Sequence, residues 1–166
     1  MSAETILHRL RLFLLGLALL IFAGTVIELL FTEHMENLIQ LIPFVLSGLG
    51  ILAVGAVLFR PQRGSVLALR LIMGLVVLGS LFGIFEHIEH NLAFELEIRP
   101  NATATEVFLD ALGGANPLLA PGILALAAIL ALAATYYRAD TAGCQKTLDQ
   151  SRTGKGNATG PAPGEI

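Results

Sequence analysis

The chain has 166 residues, 55% of them hydrophobic and 14% charged, with a mean hydropathy of +0.75. A soluble domain carries about 25% charged residues, and no soluble core of this length could bury so much apolar surface, so the ordered part is one membrane domain without room for a second globular one. A net charge of −3 excludes nucleic acid as an expected partner, and the lone Cys144 excludes an internal disulfide or a CxxC redox pair.

A spanning helix needs roughly 20 largely apolar residues. The first such run covers about residues 12–31. Arg9, Arg11 and Ala23 give it some features of a cleaved leader, but the apolar run continues past Ala23, so it reads as a retained span. A short helical connection, about residues 32–40, leads to a second span over 41–59. Pro61 and Gly64 mark a tight turn before the third span, 66–85. The outer segment 86–117 is then expected to form a folded cap. Its helix continues through Glu86-His87-Ile88-Glu89-His90, and Phe94 to Arg99 alternates apolar and charged residues like a half-buried strand, ended by Pro100. Thr103 or Thr105 caps a short amphipathic helix through Leu112, which Gly113-Gly114 stops; Val107, Phe108, Ala111 and Leu112 face the bundle or the membrane interface. The fourth span covers 118–137, and the polar, Gly/Pro/Ser/Thr-rich tail 139–166 is expected to be disordered. The predicted fold is all-α, a polytopic four-helix membrane bundle, because backbone groups in a bilayer must be satisfied within each segment.

Orientation follows from the basic residues. Every arginine and lysine except Arg99 falls on one side, which is therefore cytoplasmic and holds both termini, while Glu33, Glu36, Glu86, Glu89, Glu95, Glu97, Glu106 and Asp110 fall on the other. The size and character of the chain point to a bacterial inner membrane, with a periplasmic outer face. The halves resemble each other. Phe31-Thr32-Glu33-His34-Met35-Glu36-Asn37-Leu38 parallels Phe85-Glu86-His87-Ile88-Glu89-His90-Asn91-Leu92, and the following helices start near Pro43 and near Pro117 and Pro121, ending at Arg60 and Arg138. Two helical hairpins related by an axis along the membrane normal account for this pattern. Gly79-x-x-x-Gly83 and Ala127-x-x-x-Ala131 add close-packing spacings.

The chemistry gathers at the outer end. Glu28 is a carboxylate inside the first span and needs an interior partner or a proton. Around it stand Glu33, His34, Glu36, Glu86, His87, Glu89 and His90. Carboxylates with imidazoles suit a transition metal, with His34, His87 and His90 as ligands and Glu28, Glu33, Glu86 or Glu89 completing the shell. The Glu-x-x-His signature of di-iron bundles is missing, since both copies read Glu-x-x-Glu. His34 and His87 could also hold a haem b from opposite sides, although the acidic rim suits it poorly. The plainest reading is a solvated, hydrogen-bonded cap.

Glu28-Leu29-Leu30-Phe31, Glu33-His34-x-Glu36, Gln40-x-Ile42-Pro43, Glu86-His87 and Asn91-Leu92-x-Phe94-Glu95-x-Glu97 together resemble small bacterial inner-membrane proteins of four helices with no assigned activity. The resemblance covers roughly residues 10–138 and implies the architecture without a role for any residue. The expected function is a non-enzymatic binding or interaction protein acting through its periplasmic cap, with the bilayer and another membrane protein or a second copy as partners. The rival classes are a metal- or haem-binding redox protein and a small proton-coupled transporter using Glu28. The transporter is weakened by the lack of charges deep in the second and fourth spans.

Overall fold

The computed structural model describes residues 2–32 and 38–136. The chain divides into two compact units, Met1–Ala134 and Thr135–Ile166, and the described part of the second is only Thr135 and Tyr136, at the end of a helix. The expected disordered tail, 139–166, lies outside the described residues.

Five α-helices and one 3-10 turn make up the first unit, with no strand among the described residues. Helix α1 (Ala3–Phe31) is capped by the Ser2 hydroxyl, which accepts from the Thr5 N–H, so it starts well before the apolar run. The turn Leu38–Leu41 leads into α2 (Ile42–Phe59), with Pro43 in its first turn, where a missing N–H costs nothing. Gln62 begins α3 (Arg63–Ile98) in a capping box with Ser65. Helix α4 (Ala104–Leu112) and α5 (Leu119–Tyr136) follow.

Helices α1, α2, α3 and α5 are each long and apolar enough to cross a membrane. Only 22 to 33% of the residues in these spans are buried inside the protein. Large side chains such as Phe13, Leu20, Leu52, Leu71, Leu78 and Ile129 are exposed, an arrangement that water penalises and lipid accepts. The 36 residues of α3 reach about 54 Å at 1.5 Å each, well beyond the roughly 30 Å of a hydrocarbon layer.

That length corrects one expectation. Phe94 to Arg99 is not a strand but the last turns of α3. Leu, Glu and Ala sustain a helix as well as they alternate, Arg99 binds Glu95 one turn back at 2.7 Å, and Pro100 ends the helix because it disfavours helical geometry in the residue before it. Arg99 also reaches Asp110 at 2.5 Å, tying the end of α3 to α4. The short helix forms as expected with Thr103 as its cap: the Glu106 carboxylate accepts the Thr103 N–H at 2.7 Å. It buries Val107 and Ala111, whereas Phe108, Leu109 and Leu112 remain exposed.

The core is one cluster of Leu15, Ala18 and Phe22 from α1, Leu46, Ala53, Val54 and Val57 from α2, Leu69, Met73 and Val76 from α3, and Leu124, Ala127, Ala128 and Ala131 from α5. Small residues set where the backbones approach. Gly50 receives the ring of Phe22, Gly79 receives Leu46, and Gly83 lies against Pro121. Gly79 and Gly83 therefore serve two different neighbours, α2 and α5. A methyl at Gly50 would sit 2.8 Å from the buried Phe22 ring. Gly50→Ala should destabilise the protein by about 1–3 kcal/mol in reversible detergent unfolding. Gly24→Ala, whose methyl meets nothing within 4 Å, should be neutral or slightly stabilising; equal losses in the two variants would contradict the packing at Phe22.

Candidate functional site

The C-terminal end of α1, the turn before α2, the middle of α3 and the start of α5 enclose a cavity of about 850 Å³. Its walls are largely apolar: Leu29, Leu38, Ile39, Ile42, Leu46, Phe82 and Leu124. Thr25 and Ser80 are buried in the wall. Glu28 lies on α1, and Glu86, His87 and His90 lie on α3. These three share one face of α3 with Gly79 and Gly83, since residues three and four apart superpose on a helix. Glu89 falls off that face and is exposed. The structure thus gathers Glu28, Glu86, His87 and His90 and leaves Glu89 out. Glu33, His34 and Glu36 lie outside the described residues, and so do the metal shell and the haem pair that include them. Among the described residues, no three His, Cys, Asp or Glu side chains stand close enough to hold a metal ion.

Both histidines are oriented by backbone carbonyls. His87 Nδ1 lies 3.0 Å from the Pro117 carbonyl, and His90 Nδ1 lies 2.8 Å from the Glu86 carbonyl. A carbonyl can only accept, so each Nδ1 carries the proton, and in a neutral ring each Nε2 keeps a free lone pair. The Pro117 carbonyl is open to His87 for a simple reason. In a helix it would accept the N–H four residues on, and that residue is Pro121, which has none.

Asn91 fixes the same junction one turn further along. It is fully buried, donates through Nδ2 to the Asn116 carbonyl at 2.9 Å, and accepts through Oδ1 from the Asn116 N–H at 2.9 Å and from Asn116 Nδ2 at 3.1 Å. Gly114 makes room for it: a Cβ there would lie 2.6 Å from Asn91 Cγ. Sequence reasoning used Asn91 only to align the two halves and overlooked Asn116 and Ser80. The available signal was an asparagine, a poor interior helix residue, facing a Gly-Gly-Ala-Asn-Pro segment that must turn without regular structure.

The fold and site define a class, a multi-pass helical membrane protein with an apolar cavity at one end and a carboxylate and imidazole rim. Comparison of the chain with known protein families, curated proteins and solved structures finds no match, so function is argued from the site.

Asn91→Ala would take the protein partners from both backbone groups of the exposed Asn116, at a cost of about 0.5–1.5 kcal/mol for each hydrogen bond replaced by water. Amide exchange across residues 113–118 should accelerate, while exchange in α2 stays unchanged; unchanged protection at Asn116 would rule out the clamp. The Thr103 backbone and side chain hold the Glu106 carboxyl below its ordinary value of 4.5. A depressed folded-state value means that the cap stabilises α4 above pH 4.5 and ceases to do so as pH falls through the lower folded value. Amide protection in α4 should therefore fall selectively in acid, and Glu106→Gln, whose amide oxygen still accepts the Thr103 N–H, should abolish that pH dependence.

Proposed function

We propose that this is a non-enzymatic binding protein of a bacterial inner membrane, built from two related helical hairpins, which holds a small amphipathic ligand in the cavity at its periplasmic end. The cavity carries the reading: about 850 Å³ lies within the roughly 300–1,000 Å³ range of small-molecule sites, and apolar walls with a few convergent polar groups are their usual construction. Basic residues on the opposite side support the orientation. The duplication is supported by burial. Three, seven and ten residues after Pro43 come the buried Leu46, Gly50 and Ala53, and at the same steps after Pro121 come the buried Leu124, Ala128 and Ala131. Under this reading, α4 and the end of α3 form the periplasmic cap, which anchors the entry to α5.

The test uses Ala120, an exposed residue of the cavity wall whose enlargement disturbs no core contact. Organic extracts of the purified protein should contain a small molecule at about one per chain that Ala120→Trp loses, while the variant remains folded. Identical extracts from the two proteins would sink the proposal. In a Cys144→Ser background, Ala120→Cys should react with a membrane-impermeant maleimide on intact bacterial cells; reaction only after lysis would reverse the orientation.

A further inference from the structure

Resting on that reading, we infer that the cavity selects a lipophilic primary ammonium, one amine head on an apolar body without an anionic group. The polar lining is rich in acceptors. Glu28 and Glu86 are carboxylates, and His87 and His90 present Nε2 lone pairs because their Nδ1–H groups are engaged by carbonyls. Among the described residues, no lysine or arginine lines the cavity. Arg99, the single basic residue between Glu86 and Pro117, is held by Glu95 and Asp110. The protein therefore supplies these rim carboxylates with no cation of its own among the described residues. An ammonium supplies both the missing charge and the missing donors, and its charge-assisted hydrogen bonds are the strong kind. A zwitterionic phospholipid fits less well, because its phosphate would enter an acidic rim with no cation to receive it.

Ser80 belongs to the same wall but offers the cavity no polar contact. It lies in the cavity wall at 1% exposure, and among the described residues its Oγ has no hydrogen-bond partner. Thr25, buried in the same wall, shows the usual solution, bonding the Ile21 carbonyl one turn back at 3.0 Å. Ser80 does not do so. Its Oγ is enclosed, as is that of Ser47 on α2, so neither hydroxyl meets a ligand and the assignment rests on the rim.

The full-length protein in phosphatidylcholine nanodiscs is titrated with radiolabelled dodecylamine against empty nanodiscs, with dodecanol and dodecyl sulfate as competitors. Saturable binding is expected, with dodecanol at least about tenfold weaker and dodecyl sulfate weaker still; Glu28→Gln and Glu86→Gln should each weaken the amine by about tenfold or more. Glu89→Gln, off the cavity face, should bind as wild type and serves as the control. If dodecanol competes as well as the amine, or the Glu28→Gln/Glu86→Gln double variant binds like wild type, the ammonium assignment is overturned while the cavity reading stands. Displacement of dodecylamine by phosphatidylethanolamine added to the nanodisc would transfer the site to a lipid headgroup and overturn the free amine. Absence of saturable binding by all three probes, with Ala120→Trp indistinguishable from wild type, would overturn the assignment and the cavity reading together.

Discussion

Backbone polar groups within or beside a bilayer have few places to go, and one of them organises this site. Pro121 cannot give the Pro117 carbonyl the N–H that a regular helix would supply, and His87 Nδ1–H takes its place at 3.0 Å. That single bond fixes the tautomer of His87, leaving Nε2 as an acceptor, and joins the entry of α5 to the middle of α3. Asn91, one turn on, repeats the device by taking both backbone groups of Asn116. Together the two side chains replace regular hydrogen bonding in a segment of Gly, Asn and Pro. The start of α5 is thereby held as one wall of the cavity, and α4 is carried by the far end of α3.

The cavity itself comes from the same small residues that pack the helices. Lipid offers no hydrophobic drive for helices to associate, so close approach depends on glycine and alanine. Ala127 and Ala131 of α5 are fully buried, and Gly79 and Gly83 of α3 admit Leu46 and Pro121. Gly79 and Gly83 also line the cavity, although Leu46 and Pro121 fill the room their missing side chains leave. Close packing and the cavity wall thus share one stripe of α3. A larger residue at either glycine would change both at once, so Ala120, in the wall but outside the core, is the cleaner position to probe.

The four long apolar helices were legible in the sequence because apolar runs of this length have few alternatives. The short helix was legible too, since Thr103, Glu106 and Gly113 are local signals acting over a single turn. The strand read at Phe94 to Arg99 failed because alternation over six residues does not exclude a helix, and the Glu95–Arg99 pair and Pro100 decide the matter. Of the candidate residues, helical periodicity puts Glu86, His87 and His90 on one stripe, but nothing local separates Glu89 from them as a residue off the cavity. The Pro117 carbonyl partner of His87 and the Asn91–Asn116 clamp are contacts 30 and 25 residues apart, and such pairings leave no periodic trace.

A charged rim on a membrane protein needs no function to explain it, and the distinction here rests on how the charges are paired. At the cap, Glu95 and Asp110 have Arg99, and Glu106 has the Thr103 N–H, so those acids are accounted for by structure. Glu28 and Glu86 belong to the same acidic end but line a cavity to which the described residues bring neither lysine nor arginine. Their neighbours on that face are imidazoles whose donors are already engaged. Glu28 and His90 are as open to solvent as Glu89, whereas Glu86 and His87 are half-buried, and what sets these four apart from Glu89 is their place on the cavity wall. Carboxylates and imidazole lone pairs gathered at an apolar hollow form a set of acceptors to which the described residues of the wall bring no cation.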